Sequence, residues 1–549
     1  MQKPLKHVVF FCLFGLAVAA GAQSSLRKQQ NATNSAVFYQ AATLDINRVM
    51  IKFNNLGYLD DRDRGAAVWP KERPFPIIYD QGLWVIGKIN EQRRLALSMW
   101  SSSYSPGPII DGKAAMLAHP EDSVRYRVYK ISRFDEATNK DRAEWPVDLG
   151  APVDALGRPK LLGDQMLWTV YNGADPAVRF QWSGQPPLLP MPVEIQQTAF
   201  AQFGARADSS RLLTNVVFIE WMIINKGNDP IDSTYVSLWT DIDFAHPSSN
   251  PPAVDTLNQV GYCWYGEDSS PYTFGTRVPA IGYVWLYGPS VPAPGNNAVF
   301  LGRKKTGYKN LPITSFWGIQ DDGCYEQPLW GHACSISQAW NLARGLGKSG
   351  EPIIDPTTGR ATKFTYSGDP VTNTGWIHRP ETGGGAGFNI FSGPFTLAPN
   401  DTQWVMVALV PAKGANRFDS IQRLREQAQT LRATPYDSLA KSSGRDPRTL
   451  QTPLTFKMYQ NYPNPLADRG VRKQIFTSID FDFEASQPMP TQLKIFDIHG
   501  REVATLVNEV LEPKYHQVFF DASNLPSGIY FYRLQIGEVV QTKRFVLMR

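Results

Sequence analysis

The sequence predicts an all-β protein in two parts, a large β-sandwich domain followed by a smaller sandwich. Three observations carry that prediction. Glycine and proline are abundant, 43 and 42 of 549 residues, and they cut the chain into short segments. Within those segments β-branched and aromatic residues recur in alternation, while helical spacing is scarce. The length exceeds what one hydrophobic core serves, since single cores stop growing near ~250–300 residues.

Composition narrows the classes further. Aromatic residues are 12% of the chain and charged residues only 19%, which suits sizeable cores and excludes global disorder. The formal charge of +5 is not gathered into a long basic run, so no nucleic-acid partner is expected.

Taken in order, the N-terminus MQKPLKHVVFFCLFGLAVAAGAQ places Lys3 and Lys6 before an apolar stretch, Val8 to Ala20, too short to span a bilayer. A small-x-small site follows, so residues 1–22 read as a signal peptide cut between Ala22 and Gln23. Cys12 lies inside the apolar stretch without the spacing of a lipoprotein signal. No later apolar run approaches a membrane span, so the mature chain is expected to have none. Residues 23–40 form a polar leader.

The large β-rich domain is expected over 41–435. Its clearest segment is VVFIEWMIINKGNDPIDSTYVSLWTDID, where runs Val216 to Ile224 and Ser233 to Trp239 flank a turn and predict a hairpin with a long loop. FSGPFTLAPNDTQWVMVALVPAKG repeats that pattern. Antiparallel sheets packed face to face would bury such strands. The exception is NRFDSIQRLREQAQTLRA, where Ile421, Leu424, Ala428 and Leu431 keep helical spacing. It predicts one interdomain helix at about 417–433, capped by Asp419 or Ser420. Residues 436–454 lack periodicity and read as a linker.

About seven strands then follow in 455–549, the strand content of an immunoglobulin-like sandwich. In IFTSIDFDFE, Ile475, Thr477, Ile479, Phe481 and Phe483 share one face. Pro463 and Pro465 cannot donate to a ladder, so they should end the first strand and force a crossover.

The motifs YQNYPNP, LKIFDIHGREVATLVNE, FDASNLPSGIYFYRLQ and QTKRFVLMR, in that order, resemble the A-type C-terminal sorting domain of the bacterial type IX secretion system. The matching positions are Tyr462, Pro463, Asn464, Pro465, Gly500, Arg501, Gly528, Tyr530 and Lys543. The resemblance implies passage through the periplasm and outer membrane, with the type IX machinery as partner, and display at the cell surface or release. It also implies removal of the tail and contact with surface polysaccharide. One departure is LADRGVRKQ, where the family more often continues Phe-Asn-Pro. Upstream, YDQGLWVIGKIN, GDQMLWTVYNGADP, INKGNDPIDSTYVSLWTDIDF, FTYSGDPVTNTGW and SGPFTLAPNDTQ are similar to uncharacterised surface proteins that carry this domain. That likeness implies architecture without an activity.

Candidate chemistry is sparse. Asp241 and Asp243 sit at i and i+2 near a strand end, and Asp255 could return from the next loop; three carboxylates would suit Ca2+. The bland alternative is strand-end aspartates bonding loop amides. LDDRDRG, with Asp61 and Asp63, lacks the downstream Glu of an EF-hand loop. Cys324 and Cys334 close a short loop fit for a disulfide in an oxidising compartment, leaving Cys263 as a buried apolar residue. Glu194, Glu220, Asp241 and Asp243 flank aromatic strands and are the carboxylates a glycosidase reading would use. No G-x-S-x-G occurs, and His119, His246, His332 and His378 lack H-E-x-x-H spacing. The Gly-rich run at 381–388 has no following Lys-Ser/Thr. Trp69, Trp84, Trp100, Trp168, Trp182, Trp221, Trp239, Trp264 and Trp285 could be sugar platforms or core. The leading expectation is a non-enzymatic structural or glycan-contacting surface protein; the rival is a carbohydrate-active hydrolase. An open groove with exposed aromatics and a carboxylate pair would separate them.

Overall fold

A computed structural model describes residues 39–548 except 60–65, 72–74, 136–137, 179, 183–184, 205–210, 247–248, 271–272, 319–333, 379–386, 445–454, 468–474 and 486. The leader and its Ala22/Gln23 cleavage site fall outside these residues, as do Asp61, Asp63 and His332.

The chain is all-β, with antiparallel sheets and few helices. Upstream of the tail, two sheets dominate. One runs in the order Tyr129–Ser132, Gln165–Asn172, Val193–Ala201, Val217–Asn225, Thr402–Ala412, Ala280–Tyr287, Val260–Cys263, Pro252–Asp255, with Ser105–Pro106 on the second strand. The other runs Ser315–Gly318, Phe388–Leu397, Ile231–Asp241, Asp80–Ile89, Gln92–Met99, Ser101–Ser102. Leu83, Val85, Val236 and Leu238 of the second sheet share one buried cluster with Ile195, Ile219, Val405 and Val407 of the first, so the sheets pack face to face.

The outer faces are covered too. Ile421, Leu424, Ala428 and Leu431 of the helix Arg417–Ala433 pack with Phe200, Phe218 and Val284 of the first sheet. The helical spacing read from the sequence is therefore the buried stripe. Its cap is Asn416, whose side chain accepts from the N–H groups of Phe418 and Asp419, one turn earlier than expected. On the second sheet, Trp84, Trp239 and Phe391 pack with Ala339, Trp340 and Leu342 of a helix at Ile336–Ala343. Sequence reading missed this helix. Its signal was the capping box, Ser335 with Gln338, both halves of which are formed. Covered outer faces explain why Gln165–Asn172 and Val193–Ala201 are buried at every position rather than at alternate ones.

The expected hairpin is corrected. Val217–Asn225 pairs with Val193–Ala201 and Thr402–Ala412, whereas Ile231–Asp241 pairs with Asp80–Ile89 and Phe388–Leu397. Residues 226–230 are an arch that crosses between sheets, and Ala398–Asp401 is a second one beside it. Buried Asn225 ties the two together: its Nδ2 donates to Asp229 O and Leu397 O at 2.9 Å each, and its backbone N–H donates to Asp401 O at 3.1 Å.

The tail holds its own core, including Ile475, Ile479, Phe481, Leu493, Tyr532 and Phe545. Its strands form a sheet of three, Thr455–Met458, Phe476–Glu484 and Tyr515–Asp521, and a sheet of five, Leu466–Ala467, Val539–Met548, Gly528–Ile536, Met489–Phe496 and Glu502–Leu511. Thr477 joins Ile475, Ile479, Phe481 and Phe483 as buried and Phe476 is exposed, as expected, but Asp482 on the opposite face is buried too, where it accepts from the Tyr459 hydroxyl.

Candidate functional site

The turn in YQNYPNP links the two tail sheets. Thr455–Met458 belongs to the three-stranded sheet and Leu466–Ala467 pairs parallel with Leu547 and Met548 of the other, so the Pro463-Pro465 segment is the crossover. Buried Asn461 holds it. Its Nδ2 donates to Pro463 O at 3.1 Å and Thr477 Oγ1 at 2.9 Å, and its N–H donates to the Tyr532 hydroxyl at 2.9 Å. Asn464 Oδ1 accepts from Val546 N–H at 3.0 Å. Tyr462 bridges to Ser478 in both directions. At the next motif Gly500 takes φ 75°, and Asp497 accepts from the His499 and Arg501 amides and from Arg501 Nε at 2.7 Å. Tyr530 stacks on Phe545 at 5.3 Å and donates to Pro526 O at 2.9 Å. Lys543 lies opposite Tyr532, and Gly528 opens that strand.

Residues 460–548 match the family described as secretion system C-terminal sorting domain. The tail is a type IX sorting signal. It marks this chain for handling by the type IX machinery and for export to the cell surface or secretion. No curated protein matches the chain. Among solved structures, a polysaccharide lyase aligns over 69% of this chain and 39% of its own length, at 11% identity and a TM-score of 0.19. The chain thus spans about two fifths of that protein, at a score that bears on neither fold nor activity. Among the described residues no helix is long and apolar enough to cross a membrane.

Upstream of the sorting domain, the three aspartates do not assemble. Among the described residues no group of three or more His, Cys, Asp or Glu is arranged to hold a metal ion. Asp255 lies on the first sheet, where Arg425 Nε approaches it at 3.2 Å and the Leu257 and Asn258 amides donate to it at 3.0 Å. Asp241 ends a strand of the other sheet and Asp243 follows two residues on, both beside Tyr79 and Cys263. Burial pushes Asp243 up to about 7, and its Oδ1 has no hydrogen-bond partner among the described residues. Burial, then the charges of Asp243 and Asp241, push Tyr79 up to about 12. Cys263 is a buried free thiol, as expected of a small apolar residue. Cys334 is buried in a disulfide; Cys324, its expected partner, lies outside the described residues, as do residues 381–386 of the Gly-rich run.

The other carboxylates are interior as well. Glu194 accepts from Ile109 N–H at 2.9 Å and from Gln196 at 3.1 Å. Glu220 accepts from the Tyr287 hydroxyl at 2.7 Å and from Tyr436, and burial pushes it up to about 7. Of the tryptophans, Trp69, Trp84, Trp168, Trp182, Trp221, Trp239, Trp264 and Trp285 are buried and Trp100 is half-buried. They are core.

An open cleft of about 650 Å3 lies elsewhere, between the turn Pro120–Arg125 and the short helix Lys140–Ala143. Val124, Trp145 and Pro146 give it apolar wall; Arg125, Arg127, Lys140, Glu144 and Asp148 give it charge. Arg127 lies over the Tyr129 ring at 4.2 Å and pairs with Glu144 at 2.8 Å and Asp141 at 3.0 Å. Arg125 pairs with Asp148 at 2.6 Å. Sequence reading passed over this cleft because its residues look like ordinary turn charges.

Proposed function

We propose that this protein is an exported, non-enzymatic surface or released protein whose large domain contacts glycans at the 124–148 cleft. One observation carries the reading. Both carboxylates lining the cleft, Glu144 and Asp148, are held in ion pairs, so the cleft offers fixed donors and acceptors rather than a poised acid. Sugars present hydroxyls to such groups and apolar ring faces to walls like Trp145 and Pro146. The hydrolase rival needs a carboxylate pair flanking a scissile bond in a cleft. Of its four candidates, Glu194 and Glu220 are bonded by Ile109, Gln196 and two tyrosines, and Asp241 and Asp243 lie outside the cleft lining.

A glycan array with the full chain and with Arg125→Ala/Lys140→Ala tests this. The wild type should bind neutral glycans without cleaving them, and the variant should lose at least about tenfold in affinity, some 1.4 kcal/mol. Release of reducing ends from any bound glycan sinks the reading. For the export half, a chain lacking residues 455–549 should stay inside the native bacterium.

A further inference from the structure

Residues 290–310 form a two-stranded sheet of their own, Ser290–Phe300 paired with Arg303–Asn310. They contain Arg303, Lys304, Lys305 and Lys309 and no Asp or Glu. Arg303, Lys304 and Lys309 are exposed; Lys305 lies over the Tyr308 ring with its Nζ 3.7 Å from the centroid. Among the described residues none of the four forms an ion pair. Elsewhere on this surface several arginines are paired, as Arg125, Arg127, Arg423 and Arg501 are.

The hairpin is fixed at both ends. At its base, Ser290 N–H donates to Gln403 Oε1 at 2.8 Å and Asn310 Nδ2 donates to Gly288 O at 2.9 Å. At its turn, Phe300 stacks on Trp404 at 4.3 Å and 11°, and a Cβ on Gly302 would meet the Asp437 carboxylate at 2.7 Å. Asp437 is the acid beside the turn and carries one charge against four. The cations therefore stand on a braced backbone, which spares a ligand the ordering of a loose loop.

We propose that this hairpin is a docking strip for an acidic polysaccharide, a carboxylated or sulfated polymer of the extracellular surroundings to which the sorting tail delivers the chain. Charge complementarity argues for a polyanion. Two features select its class. Of the aromatics beside the cations, Tyr308 is capped on one face by Lys305 and Phe300, opposite Arg303, is stacked on Trp404, so the strip lacks the row of open platforms that stacking bases use. Phe300 is stacked on Trp404 and Ala298 is buried, which leaves exposed Val299 without the stripe of apolar neighbours that seats a basic element in a bilayer. Lysines on an open edge strand also discourage strand pairing between copies, and the test must separate that role.

The experiment measures binding of the full chain to immobilised polygalacturonate and dextran sulfate, with neutral dextran, duplex DNA and phosphatidylglycerol vesicles alongside. Wild type should bind the two acidic polymers, and its affinity should fall on the order of tenfold between about 50 and 200 mM salt as counter-ions are released. The variant Arg303→Gln/Lys304→Gln/Lys305→Gln/Lys309→Gln, melting at the wild-type temperature, should lose at least about tenfold at low salt and show a flatter salt dependence. The charge control Lys113→Gln/Lys514→Gln should bind as wild type; should the quadruple variant misfold, Lys304→Glu alone should still weaken binding. These outcomes overturn the proposal: undiminished acidic-polymer binding by the folded variant, equal loss in the control, a loss of neutral-dextran binding in the quadruple variant as large as its loss of acidic-polymer binding, or tighter binding to DNA or vesicles. A variant that self-associates yet binds polymer as wild type assigns the lysines to edge protection and overturns it too. Loss of acidic-polymer binding in Arg125→Ala would move that site to the cleft, sinking this inference while leaving glycan contact standing.

Discussion

Glu220 shows how burial turns a familiar side chain into a pH-dependent one. Desolvation raises it from 4.5 to about 7 despite the bonds from Tyr287 and Tyr436. A raised folded-state value contributes stability that is full below about 4.5 and is lost as pH rises through about 7. The shift corresponds to ~3 kcal/mol at high pH. Thermal unfolding should show wild type losing stability from pH 5 to 8 and Glu220→Gln losing less; parallel curves would refute the assignment. Asp243 has the same sign, being raised by burial with Oδ1 unbonded among the described residues. Asp243→Asn should raise the melting temperature at pH 8 more than at pH 5. In the tail, Asn461→Ala strips three side-chain bonds, to Pro463, Thr477 and Gln460, and should cost the sorting domain about 1–3 kcal/mol, read by denaturant unfolding.

At the scale of elements, the stretch expected to be linker begins as structure. Residues Tyr436–Ala440 are helical, with Tyr436 and Leu439 buried. Gly163 N–H donates to Ala440 O at 2.7 Å, Gln202 Nε2 reaches Lys441 O at 3.0 Å, and Asp164 accepts from Ser443 N–H at 3.0 Å. The sequence hid this because a five-residue helix has too few positions to show a period, and its contacts are all distant in sequence. Leu439→Ala should destabilise the large domain by about 2–4 kcal/mol in thermal melts; a loss under about 0.5 kcal/mol would mean that the segment is only loosely laid on the surface. The two arches teach a related lesson. An arch and a hairpin share the same local pattern of strand, polar turn and strand, and only the partners of each strand tell them apart.

For the whole molecule, the buried clusters separate the tail from the rest: among the described residues the tail cluster draws on residues from Phe456 to Leu547. The full chain should therefore unfold in two calorimetric transitions, the one at residues 455–549 being reproduced by that fragment alone. A single transition that shifts when the tail is removed would show coupled folding.

What the sequence determined by itself was whatever is written locally. Alternation set the faces of Ile475 to Phe483, helical spacing set the stripe of Arg417–Ala433, and four ordered motifs gave the export address. Only the tertiary structure decided which sheet each strand joins, that Asp255 turns to Arg425 instead of Asp241, and that Glu220 lies beneath two tyrosines. Period and turn chemistry are properties of neighbours along the chain, whereas pairing, burial and charge environment depend on residues distant in sequence, such as Tyr287 for Glu220 and Arg425 for Asp255.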